Sequence, residues 1–419
     1  MTPPGPLPKM VFRLSGRLAP LLVLLAVAIP TAPTATAAAP APILQRKLAR
    51  ALRVPHVSPT RSAAVAVDLA TGTSLYAQNA ARSLAPASNE KLPITFAALS
   101  VLGPTYRFET DVVGQGGQDG TVWTGQIVLE GAGDPTLSSA GLRSLALQVR
   151  AAGIRRRRLV GSVLADESWF DGNRTVAGWK SGFYLNESPP LSALVVNRGR
   201  VGRYLSTRPA LAAGTAFRSA LRAAGIAVTG GVRVGVADDF SVPLASISSP
   251  PLSAVVRFMD RESDNFTAEM LLKQLGAIEL ERGTSAAGAA VVSRVLTEAG
   301  VPMTGVRIVD GSGLSRLDRL TANALTALLH VAWTDPTIKP VLLAALPVAG
   351  VSGTLADRMR RGPARGHVAA KTGTTSDASA LSGFVRDRYV FAVVQNGHPL
   401  SYWWARVAQD RFPQVLAAQ

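Results

Sequence analysis

The chain has 419 residues, 47% of them hydrophobic, enough for one large or two medium cored domains and incompatible with a disordered chain or a fibre. With no cysteine, a thiol nucleophile, disulfides, a zinc–thiolate site and a lipid-modified N-terminal cysteine are all excluded. Forty-four basic residues face 27 acidic ones, a formal net charge of +17, and a surface of that sign attracts anionic polymers.

Residues 1–39 read as a signal peptide: Lys9, Arg13 and Arg17 precede an apolar run at 18–29. Ala35-Thr36-Ala37 and Ala37-Ala38-Ala39 both fit a cleavage site. That run is 12 residues long, short of the ~20 needed to span a bilayer, so export to an extracytoplasmic space is expected. The remaining chain keeps a charge of +14, which predicts weak peripheral association with a cell wall or membrane surface. Nucleic acid is not expected as a partner, because the protein is exported and has no aromatic-basic motif. His56, His330, His367 and His398 form no H-x-x-x-H or H-E-x-x-H group, so a histidine-built metal site is not expected. The Arg155-Arg156-Arg157-Arg158 run reads as a solvated edge.

In chain order, residues 63–69 alternate apolar and polar, and with 74–78 they predict a hairpin turned by Thr71-Gly72-Thr73. A loop leads into a helix that begins near Ser88 and stops at Gly103-Pro104. Residues 108–113 and 122–129 predict a second hairpin, with 114–120 as a Gly-rich turn. A helix over 137–151, a strand over 160–164, a helix over 209–224 and a strand over 232–236 follow. The Pro/Ser-rich run 246–251 marks a boundary. Beyond it the pattern predicts a short helix at 252–259, a polar loop at 260–265, and helices over 268–281, 286–299 and 322–333. Strands are expected at 367–372, 380–385 and 389–395, then an amphipathic helix over 402–416 with Trp403 and Trp404 packed into the core.

Three short motifs carry chemistry. In Ser88-Asn89-Glu90-Lys91 the hydroxyl and the amine are three apart, so one helical turn brings them together. A buried lysine there has its charged form disfavoured, which is the condition for an amine to act as a base. Ser263-Asp264-Asn265 lies between helices, and Lys371-Thr372-Gly373-Thr374 lies on a strand whose glycine admits a close backbone approach. Each triplet alone is weak. Their order is not, because only seven lysines occur among 44 basic residues and two of them stand in these motifs.

With these motifs the chain resembles the D-alanyl-D-alanine carboxypeptidase/endopeptidase family of low-molecular-mass penicillin-binding proteins, in which a large insertion separates the first two motifs. Gly133-Asp134-Pro135, Pro190-Leu191-Ser192 and Asp310-Gly311-Ser312-Gly313-Leu314-Ser315-Arg316 extend the resemblance, as do Val348-Ala349-Gly350-Val351-Ser352-Gly353-Thr354-Leu355 and the residues around Lys371. It implies an α/β (α+β) transpeptidase-like domain from 40–105 and 246–419, an antiparallel sheet flanked by helices, split by a mostly β insertion at 106–245. It also implies a serine peptidase that cleaves D-Ala-D-Ala ends or D-Ala cross-links of peptidoglycan without a cofactor and is acylated by β-lactam antibiotics.

By the same resemblance Ser88 is the nucleophile, Lys91 its base, and Ser263 the relay to the departing amine. Asn265 holds Lys91 and the substrate amide, and Lys371 supplies positive charge. Thr372, Gly373 and Thr374 meet the terminal carboxylate, and the backbone N–H groups of Ser88 and Thr374 form the oxyanion hole. Asp166, Phe170 and Arg316 are implied to hold the diamino-acid side chain of the stem peptide. A serine β-lactamase on the same fold is an alternative, although no E-x-x-L-N loop occurs. A serine esterase would replace the Ser263-to-Asn265 element, and a wall-binding protein with vestigial catalysis would need only the basic surface.

Overall fold

The computed structural model describes residues 42–154 and 159–419. The expected signal peptide and the Arg155–Arg158 run lie outside the described residues. Five strands form an antiparallel sheet: β1 (Ser62–Asp68), β2 (Ser74–Gln78), β11 (Val368–Thr374), β12 (Ala378–Val385) and β13 (Tyr389–Asn396). Their order is β11-β12-β13-β1-β2, so β11 is an edge strand, its outer side bridged at 368–370 by the 347–349 segment.

Strand alternation decides which helices cover which face. Val390, Ala392 and Val394 of β13 face one core with Ala63 and Val65 of β1. Against them pack α2 (Lys91–Leu102), α5 (Leu252–Glu262), α6 (Asn265–Leu280), α7 (Ser285–Glu298), α8 (Ala322–Thr334) and α9 (Ile338–Ala345). Phe391 and Val393, with Ala64 and Ala66, face the opposite core, which is closed by α1 (Pro42–Leu52) and α10 (Tyr402–Ala417). The hydrophobic effect thus buries both faces of this sheet, consistent with its strands reading as nearly unbroken apolar runs.

A second sheet is built from residues between Glu109 and Ser248. Its strands are β3 (Glu109–Asp119), β4 (Val122–Gly131), β5 (Leu159–Val160), β6 (Val163–Asp166), β9 (Val232–Val234) and β10 (Val242–Ser248). The pairs β10–β3 and β3–β4 are antiparallel, whereas β4–β6 and β6–β9 are parallel. The parallel pairs need crossovers, and α3 (Ser139–Ala151) and α4 (Pro209–Ala223) lie within them. Leu142, Leu145, Phe217 and Leu221 of these helices cover Ile127, Leu129 and Val163. This region is therefore a mixed α/β layer rather than mostly β. A short ribbon, β7 (Arg200–Val201) with β8 (Tyr204–Leu205), stands apart from it.

Four local expectations need correction. Residues 114–119 are strand, not turn, and only Gly120-Thr121 reverse the chain. Gly116 faces Gly125 so closely that a Cβ on Gly116 would lie 2.1 Å from the Thr124 carbonyl oxygen, so these glycines serve the ladder rather than a turn. Strand β10 continues to Ser248, and the boundary begins only at the prolines that follow. Helix α5 runs to Glu262, leaving Ser263 and Asp264 alone between α5 and α6. Trp403 is 71% exposed in the first turn of α10, where the apolar face that reaches the core is carried instead by Ala405, Ala408 and Phe412.

Candidate active site

Ser88 sits on a tight 3-10 turn, Ala87–Glu90, that runs directly into α2. Ala87 adopts left-handed backbone, φ 48°, which a residue with a Cβ holds only when its surroundings fix it. A neighbouring loop and strand β11 do so by close approach. A Cβ on Gly313 would lie 1.9 Å from the Ala87 carbonyl oxygen, and one on Gly373 would lie 3.0 Å from the Ser88 nitrogen. Asn89, fully buried, donates its side-chain amide to the Lys371 carbonyl at 3.0 Å and ties the turn to β11.

Lys91 is fully buried, with Nζ 3.1 Å from Ser88 Oγ. Its other two neighbours, Asn265 Oδ1 and the Ser312 carbonyl oxygen, are both at 2.8 Å and can only accept. Two N–H groups of a neutral amine satisfy these acceptors and leave the lone pair towards the Ser88 hydroxyl. Burial lowers the Lys91 pKa to about 8, against the opposing pull of Asp310 and other nearby carboxylates.

The second lysine completes the pair. Lys371 Nζ, also fully buried, lies 2.9 Å from Ser263 Oγ and donates to the Thr372 carbonyl at 3.0 Å. Burial, then the charge of Lys91, lowers its pKa to about 7. Two ammonium groups in one dry pocket repel, so each disfavours protonation of the other. The buried Asp260 supplies a counter-charge. It accepts from Thr95 Oγ1 at 2.7 Å, burial raises its pKa to about 6, and Lys371 acts in the opposite direction.

Ser263 caps α5 in left-handed backbone, φ 59°, and the chain reverses there in two residues. Asp264 then caps α6 by accepting from the Thr267 nitrogen at 2.8 Å, and Arg198 donates to its other oxygen at 2.5 Å. Asn265 opens α6 and donates its Nδ2 to the Glu187 carbonyl at 3.0 Å. Thus Asp264 and Asn265 of this motif are held from residues of the second region.

The loop that offers the Ser312 carbonyl is itself built on buried carboxyls. Asp310 accepts from the Gly313 and Ser315 nitrogens at 2.6 and 2.7 Å and from Trp179 Nε1 at 2.8 Å. Glu269 accepts from the Gly311 and Ser312 nitrogens at 3.1 and 2.9 Å. Four acidic side chains, Glu90, Glu269, Asp310 and Asp318, crowd this spot. Burial and their mutual repulsion push Glu269 up to about 8, Asp318 up to about 12 and Glu90 well above the carboxylate range. Burial thus favours the neutral form of Glu269 and Asp318 beside Lys91.

Strand β11 carries Thr372, Gly373 and Thr374 past Ser88. Thr372 Oγ1 lies 2.7 Å from Thr354 Oγ1, and Thr374 is exposed at the end of the strand. Beyond it opens a groove of about 390 Å³ between Ala87, Thr375 and Gly313. Arg316 lines it and pairs with Asp377 at 3.2 Å.

Ser88, Lys91, Ser263, Asn265 and Lys371 are thus brought together, with Thr372, Gly373 and Thr374 alongside. Asp166 and Phe170 are not on the walls of the groove. Asp166 is buried at the end of β6, where its carboxylate accepts from the Ser168 and Ala237 nitrogens at 2.8 and 2.7 Å, a loop cap. Phe170 is buried against Gly133 and Gly283, with Lys273 Nζ 5.9 Å from its ring. The carboxylate beside Arg316 in the groove is Asp377 instead. Asp260, Asn89 and the Ser312 carbonyl are functional neighbours that the motif reading missed.

The family model of the D-Ala-D-Ala carboxypeptidase 3 (S13) family matches residues 44–208 and 203–417. The chain belongs to this family. An S13 chain of this kind is a serine peptidase, a hydrolase, and the motifs that carried the resemblance fall inside the matched residues. It is 33% identical to a D-alanyl-D-alanine carboxypeptidase of an Actinomadura species, over 83% of this chain and 80% of that protein. It is 35% identical to the carboxypeptidase DacB of Mycolicibacterium smegmatis, over 78% and 75% respectively. Penicillin binding protein 4 of Haemophilus influenzae has a similar structure, with a TM-score of 0.77 over 89% of this S13 chain and 98% of that one. At 21% identity that likeness speaks for the fold alone, a helix-flanked antiparallel sheet.

Proposed function

We propose that this S13 protein removes the terminal D-Ala from peptidoglycan stem peptides, and cuts D-Ala cross-links, through an acyl-enzyme at Ser88. The observation that carries the reading is the cage around Lys91, whose two pure acceptors leave its third direction to Ser88 Oγ. With the amine neutral, the Ser88 hydroxyl donates to Lys91 Nζ and the oxygen attacks the carbonyl of the penultimate D-Ala. The proton passes by way of the Ser263 hydroxyl to the departing amine, and Lys371 stabilises the deprotonated state of that relay. Lys371, Thr372 and Thr374 receive the terminal carboxylate, a charge-assisted contact. The N–H groups of Ser88 and Thr374 hold the oxyanion, a role typically worth ~2.7–4 kcal/mol per donor. Water then releases the acyl group.

A β-lactam presents a strained amide to the same machinery, so it acylates Ser88. The +14 charge of the chain without residues 1–39 supports action at an anionic cell wall, outside the membrane, after export by that segment. The test is release of D-Ala from a peptide ending in D-Ala-D-Ala. The protein is expected to release one D-Ala per peptide and to leave the L-Ala-L-Ala isomer intact. Equal cleavage of both isomers, or of neither, would refute the proposal.

A further inference from the structure

The 50 residues from Ser188 to Ala237 hold seven arginines and no aspartate, glutamate or lysine. Charge of one sign on that scale is answered by acids from elsewhere in the fold or by a partner. Among the described residues, Arg198 is the one of the seven with a carboxylate partner: it donates to Asp264 at 2.5 Å and lies 5.2 Å from the Phe266 ring. Arg200 and Arg208 line a groove of about 580 Å³ between the β7–β8 ribbon and α4, and no carboxylate lines it with them. Arg203 stands exposed at the tip of the ribbon, 5.1 Å from the ring of Tyr204, which is exposed as well. This groove shares no residue with the one beside Ser88.

The walls of the groove are fixed and chemically sorted. The Ser206 nitrogen donates to the Gly199 carbonyl at 2.8 Å and closes the ribbon at its base, and the Arg208 nitrogen donates to Ser206 Oγ at 3.1 Å. On α4, Thr215 and Ser219 donate their hydroxyl hydrogens to the Leu211 and Thr215 carbonyls at 2.7 and 3.1 Å, so towards the groove they can only accept. The arginines can only donate. A ligand suited to both walls carries anionic oxygens and free hydroxyls on one chain. Arginine pairs well with phosphate oxygens. Flexible polyol spacers let successive phosphates reach Arg200, Arg203 and Arg208 whatever their spacing, which the stiff rings of a polyuronate do not.

We infer that the groove between the β7–β8 ribbon and α4 binds a phosphodiester polymer with hydroxylated repeat units, and so tethers the protein to an anionic cell wall. The inference goes beyond the peptidase reading and is independent of the chemistry at Ser88. A surface of this kind binds by many weak contacts, so its affinity falls as salt is raised.

The test measures binding of a poly(glycerol phosphate) oligomer to the full chain by isothermal titration calorimetry, at low and at physiological salt. Two triple variants are compared, Arg200→Ala/Arg203→Ala/Arg208→Ala and Arg360→Ala/Arg361→Ala/Arg365→Ala. Both lose three charges from exposed arginines, but only the first loses them from the ribbon and its groove. Binding should weaken by about ten-fold or more in the first, the sum of three exposed charge contacts, and by less than about three-fold in the second. Acylation by penicillin should be unchanged in the first, which verifies its fold, and Arg208→Glu should weaken binding by about five-fold by itself. Equal losses in the two triple variants would overturn the inference, since net charge alone would then account for binding. So would polygalacturonate or phosphatidylglycerol vesicles bound at least as tightly as the polymer, or no binding at all. A protein that binds the polymer but takes no penicillin defeats the peptidase reading and leaves this inference standing.

Discussion

Among the side chains of the site, the two lysines carry the sharpest expectation about pH. Their pKa values of about 8 for Lys91 and about 7 for Lys371 lie well below the ordinary 10.5, so the pair sheds its first proton near neutrality. A base works only when neutral, so acylation should rise as pH increases from about 6 to 8 rather than fall. Stopped-flow acylation by a chromogenic penicillin would check this, and a rate that is flat across that range would count against it. Replacing Lys91 by Ala should slow acylation by about 10²- to 10⁴-fold, the usual contribution of a positioned base. At this scale the sequence was informative where spacing alone forces contact, as for Ser88 and Lys91. It was silent where the partner is a backbone atom, because the Ser312 carbonyl leaves no trace in residue identity. Asp377 escaped for a different reason: it is brought beside Arg316 by the turn after β11, 61 positions away in the chain.

The elements position these groups by close approach of glycine. Gly313 has φ 80°, and its missing Cβ makes room for the Ala87 carbonyl. Gly313→Ala should therefore cost about 3 kcal/mol or more, by adding left-handed strain to a backbone clash. Because the displaced atom belongs to the Ser88 turn, acylation should slow even at temperatures where the variant remains folded. Thermal melting alongside penicillin acylation would show both effects; an unshifted melting temperature with normal acylation would contradict the packing described. Most helices and strands were legible from period and capping residues. Thr284 and Thr321 each accept from the nitrogen three residues on, as N-caps do. The misread stretches share a cause. In 114–119 and 246–248, glycine or serine-rich composition resembles a turn, but pairing to a neighbouring strand decides the conformation.

For the molecule as a whole, the second region is a support for the site as well as an insertion in the chain. Arg198 holds Asp264, the Glu187 carbonyl holds Asn265, and Trp179 holds Asp310. Lys273, nearly buried on α6, pairs with Asp171. The sequence motifs indicated that two widely separated segments form one centre, and none of these four supports was legible from them. Each joins residues dozens to more than a hundred positions apart through side chains of ordinary type. The central claim is that Ser88 is the nucleophile of this assembled centre. Intact-mass spectrometry after incubation with penicillin G, followed by peptide mapping, tests it most directly. One whole penicillin should be added per chain, on the peptide containing Ser88, and none on Ser88→Ala. An adduct on another residue, or one that persists in Ser88→Ala, would contradict the account.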